Sequence, residues 1–254
     1  MAFTGLLAEN NTMRTIRARV AFHTRQHGFD RAAQQLVAGN DIAATERLAA
    51  QLFAHWGDPL QQADERFLRS MLAEARAADG AILQCGSSLT TLILGSICDH
   101  DEQPKKQLWC LEADRHWANM MRSWLTEYRV NGAHVIHSSA KLFKNYVWYS
   151  LDPGRLAPEY HLVICDGNRA SVRGAVATVH RIADRLAQRF VVLIRNVSSA
   201  ADMKELAAWA KARDANCVLV DKTEGFVKIT SRHAEPPLPE SRSGAGSLKT
   251  AQNP

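Results

Sequence analysis

From Ala81 onward the chain repeats one pattern: a short apolar run, a break at glycine or a polar pair, then a longer stretch with apolar residues at helical spacing. Short apolar runs without in/out alternation are strands covered on both faces, and such strands separated by helices build a parallel sheet. The strand segments fall at about 81–86, 107–112, 134–138, 161–166 and 190–195. After the second of them, Trp117, Met120, Met121, Trp124, Leu125 and Tyr128 lie on one helical stripe, which predicts a core face rather than an aromatic binding surface. A further helix carries Val172, Val176, Val179, Ile182 and Leu186, and another spans about 202–213. The final apolar stretch, NCVLVDKTEGFVKITSR, holds two strands joined by a tight turn at Lys222 to Gly225. A connection that short permits only antiparallel pairing. The predicted fold is α/β: a Rossmann-like, seven-stranded, mostly parallel sheet with a reversed last strand, in three α/β/α layers, preceded by N-terminal helices.

Those helices are read from Leu48, Leu52, Phe53 and Trp56, stopped by Gly57-Asp58-Pro59, and from Phe67, Leu68, Met71, Leu72 and Ala75, ending at Asp79-Gly80. The expected organisation is a helical lead-in or cap over 1–80, the sheet domain over 81–232, and a tail over 233–254 too poor in large apolar residues to fold. With 46% hydrophobic residues, the chain of 254 can bury one sizeable core. It has neither an apolar run of membrane-spanning length nor a secretory pattern at its start, so the expectation is a soluble, cytoplasmic protein. Five cysteines, an odd number without a C-x-x-C pair, read as core residues of a reducing compartment. The net charge is +5, but basic residues are spread among acids, and nucleic acid is not favoured as a partner. The densest basic stretch, with Arg14, Arg17, Arg19, Arg25 and Arg31, reads best as a solvated helix face.

Ligands of open α/β sheets lie outside the carboxyl ends of the strands, where the strand order reverses. The first such turn here is Gln84-Cys85-Gly86-Ser87-Ser88-Leu89-Thr90. Gly86 permits a sharp bend, and the N–H groups after it open a helix whose positive end favours polar or anionic groups. The G-x-G-x-x-G that brings a pyrophosphate close is missing, which counts against a dinucleotide. Glu112, ending the second strand, is placed to accept two hydrogen bonds from a ribose diol over the same crevice. Asp166, followed by Gly167, ends the fourth strand; the competing reading for it is a helix cap.

Together the stretches LQCGSSLTT, LEADRHWA, VWYSLDP and VICDGN, in order over about 64–230, resemble the class I S-adenosylmethionine-dependent methyltransferases. More narrowly they are similar to a bacterial group with L-E-C-G-S-G-L-S-T at the first turn and V-C-D-G-P-P-G after the fourth strand. The resemblance implies S-adenosylmethionine as cofactor, with Gln84, Cys85, Gly86, Ser87, Ser88, Leu89 and Thr90 around its methionine end and Glu112 on its ribose. Ser139 and Ala140 would border the adenine, and Asp166 and Gly167 the methyl-transfer region. Asp166 and His137 are the candidate catalytic groups; Tyr149, Asn168, Arg169 and Arg195 are candidates for the substrate side. Trp148 or Tyr149 walls the pocket or belongs to the core. The sequence departs from the group at Gln84, where Glu is usual, at Ser88 for glycine, and at Ser139 for an acid. Arg195 and Asn196 stand where related enzymes often carry two acids, one of them a Mg²⁺ ligand, so no catalytic metal is expected. The expected activity is metal-independent methyl transfer to a small-molecule acceptor. The alternatives are a methyltransferase-like binding or assembly protein, motivated by those departures, and an RNA methyltransferase using the basic N-terminal stretch.

Overall fold

The computed structural model describes residues 24–39, 41–57, 62–101, 106–143, 146–151, 153–165, 173–197 and 199–232. Three helices come first: α1 over 24–38, α2 (Ile42–Trp56) and α3 (Gln62–Ala77). Strand–helix alternation follows with β1 (Ile82–Cys85), α4 (Leu89–Asp99), β2 (Leu108–Glu112), α5 (Arg115–Glu127) and β3 (Ala133–His137). A hairpin of β4 (Ala140–Phe143) and β5 (Tyr146–Tyr149) leads to β6 (Tyr160–Cys165), α6 (Gly174–Ile182), β7 (Leu186–Ile194) and α7 (Ala200–Ala212). The last two strands are β8 (Ala215–Asp221) and β9 (Phe226–Ser231).

The main sheet has seven strands in the order β3-β2-β1-β6-β7-β9-β8. β3, β2, β1, β6 and β7 are parallel, and β9 is slotted antiparallel between β7 and β8. The chain therefore builds outward from β1 to β3 and returns to lay β6 on the other side of β1, so the order reverses at the carboxyl ends of β1 and β6. The tight turn of the β8–β9 hairpin requires glycine: Gly225 has φ +57, and a Cβ there would stand 2.3 Å from the Val197 carbonyl oxygen.

Both sheet faces are buried, as the unbroken apolar strands predict. Ile82, Leu108, Leu162 and Leu193 join one core with α1 to α5, while Leu83, Leu111, Val163 and Val192 join another with α6 and α7. The N-terminal helices are thus part of a layer of the main fold, sharing one core with α4 and α5, with Leu36, Leu52, Met71 and Leu72 fully buried. α4 and α5 cover the β1–β3 side, and α3 covers the side they leave bare. Its Phe67 meets Phe226 edge-on at 5.0 Å, Glu74 pairs with Lys228 at 2.6 Å, and Arg66 pairs with Asp221 at 2.6 Å.

One expectation is corrected. Leu186, placed on a helical stripe from its spacing, is the first residue of β7, because the helix stops at Ile182 and a 3-10 turn follows. The segment between the third and fourth parallel strands is a β-hairpin, whose Trp148 is buried against α6 with its Nε1–H donated to Thr178 at 3.3 Å. Arg181 of α6 lies over the Phe143 ring at 4.5 Å. Asp166, Gly167, Asn168, Arg169, the residues Arg14, Arg17 and Arg19, and the segment 233–254 lie outside the described residues. Among the described residues no helix is long and apolar enough to cross a membrane.

Candidate functional site

β1 ends at Cys85 and the backbone turns at Gly86, whose φ of +93 is strained for any residue with a Cβ. The Gly86 N–H still reaches across to the Leu111 carbonyl at 2.8 Å, so the bend begins while β1 is held to β2. A Cβ at this position would have the Tyr149 hydroxyl at 4.0 Å as its nearest contact, so the outer side of the bend faces open space.

The turn is fixed from beneath by a closed ring of side chains. Ser88 caps α4, its Oγ accepting from the Thr90 N–H, while its own N–H donates to Thr91 Oγ1 at 3.1 Å. Thr91 Oγ1 donates to Gln84 Oε1 at 3.0 Å, Gln84 Nε2 donates to Thr90 Oγ1 at 2.7 Å, and Thr90 Oγ1 lies 2.6 Å from Ser88 Oγ. Gln84 is completely buried with both ends of its amide engaged, so it anchors the turn from inside and does not line its outer surface. The two departures at Gln84 and Ser88 are members of the same ring. Ser88 supplies the N-cap that a glycine would leave without a side-chain acceptor.

Glu112 meets this turn from β2. One carboxylate oxygen accepts from the Ser87 N–H at 2.9 Å and from Ser87 Oγ at 2.6 Å; the other accepts from the Asp114 N–H at 2.9 Å. Asp114 caps α5 through the Trp117 N–H at 2.8 Å, and the Trp117 indole N–H returns to the Ser87 carbonyl at 2.8 Å. The two features singled out in the sequence, the bend at Gly86 and the acid at Glu112, are therefore joined directly. Trp117, assigned to the core stripe alone, also braces the loop; its place in the first turn of α5, after the acid, is the signal that could have found it.

The remaining candidates lie around this rim. Cys85 and Cys165 are register partners on β1 and β6, both buried, and the hydrogen bond between their thiols, followed by burial, pushes Cys85 well above the ordinary thiol range. Tyr149 ends β5 and its hydroxyl overhangs Gly86. Burial first, then the nearby thiols of Cys85, Cys165 and Cys110 and the Glu112 carboxylate, raise its pKa far above the usual phenol value, so the phenol stays protonated and can only donate or accept as a neutral group. His137 ends β3 opposite Glu112 in register and is half-buried. Ser139 and Ala140 are exposed, with Ala140 opposite Tyr149 in the hairpin, and Ser138 ties its N–H to the Glu112 carbonyl at 2.8 Å.

Arg195, a substrate-side expectation, is committed to an ion-pair cluster at the carboxyl end of β7. Its guanidinium pairs with Asp64 of α3 at 2.5 Å and Glu224 at 3.3 Å, and lies over the Phe67 ring at 5.1 Å. Among the described residues, no three His, Cys, Asp or Glu side chains gather as metal ligands.

A glycine bend after β1, an acid ending β2, strand order reversing beside them, and one antiparallel strand inserted next to the last define the architecture. The fold is a Rossmann-like, seven-stranded α/β sheet with one antiparallel strand. Neither a known family model nor a curated protein sequence matches the chain. Among solved structures it is similar to the O-methyltransferase TomG from Streptomyces achromogenes in complex with SAM, at 17% identity over 76% of this chain and 91% of that one, with a TM-score of 0.48. An O-methyltransferase from Bacillus cereus in complex with SAH is 13% identical over 76% and 92% of the two chains, with a TM-score of 0.47. M. jannaschii TYW2 in complex with AdoMet is 8% identical over 67% and 74%, with a TM-score of 0.42. Likeness at this level says nothing of what the chain binds or does.

Proposed function

We propose that this chain binds S-adenosylmethionine at the β1–β2 rim and transfers its methyl group to a small-molecule acceptor without a metal. The observation that carries the reading is the direct junction of the Gly86 turn and the Glu112 carboxylate through Ser87. The residues suit the cofactor on two counts. The outer side of Gly86 is open to a ligand's approach. Glu112 accepts three hydrogen bonds, and a carboxylate has about four acceptor positions, so one is left for a ribose hydroxyl and another is freed when the rotatable Ser87 hydroxyl turns away.

The cofactor, when bound, supplies an electrophilic methyl group on a sulfonium. The chain's part is positioning, which provides much of the rate in such a transfer. Glu112 holds the ribose, the Gln84–Thr90–Ser88–Thr91 ring keeps the turn from rearranging, and the Tyr149 hydroxyl stands beside the open side of Gly86 as a neutral phenol that serves as hydrogen-bond donor and not as base. His137 and Asp166 are the groups assigned to receive a proton where the acceptor must lose one. Ser139 and Ala140 are assigned to the adenine edge.

The alternative, a binding protein without catalysis, rested on Gln84, Ser88 and Arg195. Gln84 and Ser88 stabilise the turn while leaving its outer side open, which favours the enzyme, and Arg195 is held apart from the turn by Asp64 and Glu224. The test is S-adenosylhomocysteine binding. A hundredfold excess over Kd adds about 2.7 kcal/mol of stability, which at roughly 2–4 °C per kcal/mol is a thermal shift of several degrees. Glu112→Gln should abolish the shift while still folding. Absence of any shift with the wild-type chain at millimolar ligand would refute the proposal.

A further inference from the structure

Where α1, α2 and α5 converge, the helical layer leaves a cleft of about 370 Å³, the size of a small-molecule site. Its walls are aromatic: Phe29 of α1, Trp56 at the end of α2, and Trp124 and Tyr128 at the end of α5. Trp56 meets Trp124 edge-on at 5.1 Å, and Phe29 lies 5.7 Å from Trp124 and 6.3 Å from Tyr128. The apolar stripe of α5 is not fully covered here. Trp124 and Tyr128 are half-buried, and Trp56 is 45% exposed. Rings left this open offer electron-rich faces to a cation.

The charged groups lining the cleft are of both signs and stand apart. Asp30 and Glu127 belong to the side where α1 meets α5, and there the Tyr128 hydroxyl donates to Asp30 Oδ1 at 2.7 Å. Burial, and then the Asp30 carboxylate, raise the Tyr128 pKa, so the phenol keeps both its proton and this bond. Arg25 and His55 belong to the side where α1 meets α2; a Cβ on Gly57 would find Arg25 Nη1 at 3.7 Å. Arg25 and Asp30 are separated by about 7–8 Å along the axis of α1. Among the described residues neither Arg25 nor Glu127 has an ion-pair partner, and no donor but Tyr128 reaches the Asp30 carboxylate.

A plain cation in this cleft would meet Arg25, and a plain anion would meet two carboxylates and the ring faces. A zwitterion suits both ends. A primary ammonium would also need three acceptors, whereas an alkylated one buries its methyl groups against rings. We infer that the cleft binds a small zwitterion, with its alkylated ammonium against Trp56 and Trp124 beside the carboxylates and its anionic group on Arg25. Trp117 stands between this cleft and the Gly86 turn, its ring 6.3 Å from Trp56 and its indole N–H on the Ser87 carbonyl. The cleft is therefore a second site, and the inference does not rest on the methyl-transfer reading.

The test is titration of the full chain with γ-butyrobetaine, a trimethylammonium joined to a carboxylate by a short chain, followed by tryptophan emission and calorimetry. The expected result is a saturable blue shift with one site per chain, as the ligand shields Trp56 from water, unchanged by excess S-adenosylhomocysteine. Choline, which lacks the carboxylate, and butyrate, which lacks the ammonium, should each bind at least about tenfold more weakly. Arg25→Gln should lose about the same factor for γ-butyrobetaine and leave choline no weaker. Asp30→Asn, which can still accept from Tyr128, should lose it as well; Arg25 is exposed, so its variant decides should Asp30→Asn misfold. No saturable response at millimolar probe, choline binding as tightly as γ-butyrobetaine, a folded Arg25→Gln chain of unchanged affinity, or competition by S-adenosylhomocysteine would each overturn the inference. So would a response that appears only once residues 1–23 are removed, since the cleft would then belong to that segment.

Discussion

Replacing Gly86 with alanine separates two demands that the turn places on one residue. At φ +93 a Cβ is disfavoured by about 1–3 kcal/mol. No packing penalty adds to this, since the nearest atom to the new Cβ is the Tyr149 hydroxyl at 4.0 Å. At roughly 2–4 °C per kcal/mol for a chain of this size, the melting temperature should fall by about 2–12 °C, a loss the fold survives. The same methyl enters the open side of the bend, where the proposed cofactor approaches, so affinity for S-adenosylhomocysteine should fall at least about tenfold, ~1.4 kcal/mol. Gly225→Ala is the matched comparison. Its Cβ would stand 2.3 Å from the Val197 carbonyl oxygen and 2.7 Å from the Val197 nitrogen, so it should cost more stability than Gly86→Ala and leave affinity unchanged in whatever fraction folds. Scanning calorimetry and titration calorimetry on both variants read the two quantities separately. A folded Gly86→Ala protein with wild-type affinity would refute the assignment of this turn to the ligand.

Gln84→Leu removes both arms of the ring and strands the Thr91 hydroxyl, so denaturant unfolding should show a loss of about 1–3 kcal/mol. Burial pushes the thiols of Cys98 and Cys110 up to about 12, so each stays protonated in the fold while the unfolded chain ionises near 9.0. Their contribution is intact below that value and is lost as pH rises from about 9 toward 12; urea midpoints across this window should fall, less steeply in Cys110→Ala. In native protein a thiol reagent should reach the partly exposed Cys217 well before Cys85, Cys98, Cys110 or Cys165, as mass spectrometry of the labelled chain will show. A chain beginning at residue 81 should lack a cooperative thermal transition, because α1, α2 and α3 contribute Leu36, Leu52, Met71 and Leu72 to the core under the sheet. Cooperative melting of that fragment would show the N-terminal helices to be an appendage.

The parts of this fold that announce themselves are those whose pattern is carried by neighbouring residues. Apolar runs such as HLVICDG and FVVLIRN show strands buried on both sides, and VLVDKTEGFV shows its own turn. The bend at Gly86 and the acid at Glu112 were legible for the same reason, each ending a strand of recognisable type. What escaped depends on which side chains a helix carries back over a strand. Gln84, Thr90 and Thr91 are close in sequence, yet only the angle between β1 and α4 turns their polar ends toward one another. Arg195 and Asp64 are 131 positions apart, and no local pattern marks them as partners. The hairpin of β4 and β5 went unread in a different way: YVWY has the aromatic and β-branched content of a strand, but its only partner is the equally short β4, outside the strand–helix alternation that marks the main sheet.

That hairpin occupies the crossover between β3 and β6 with two short strands resting on α6 through Trp148 and Arg181. A ribbon of this kind changes length two residues at a time without altering the register of the strands beneath it. Its inner end, at Tyr149, hangs over the bend, while its outer end at Leu142 is free to vary. The outer end of the ribbon can thus be rewritten in sequence and length while the Gln84–Thr90–Ser88–Thr91 ring beneath the bend stays as it is.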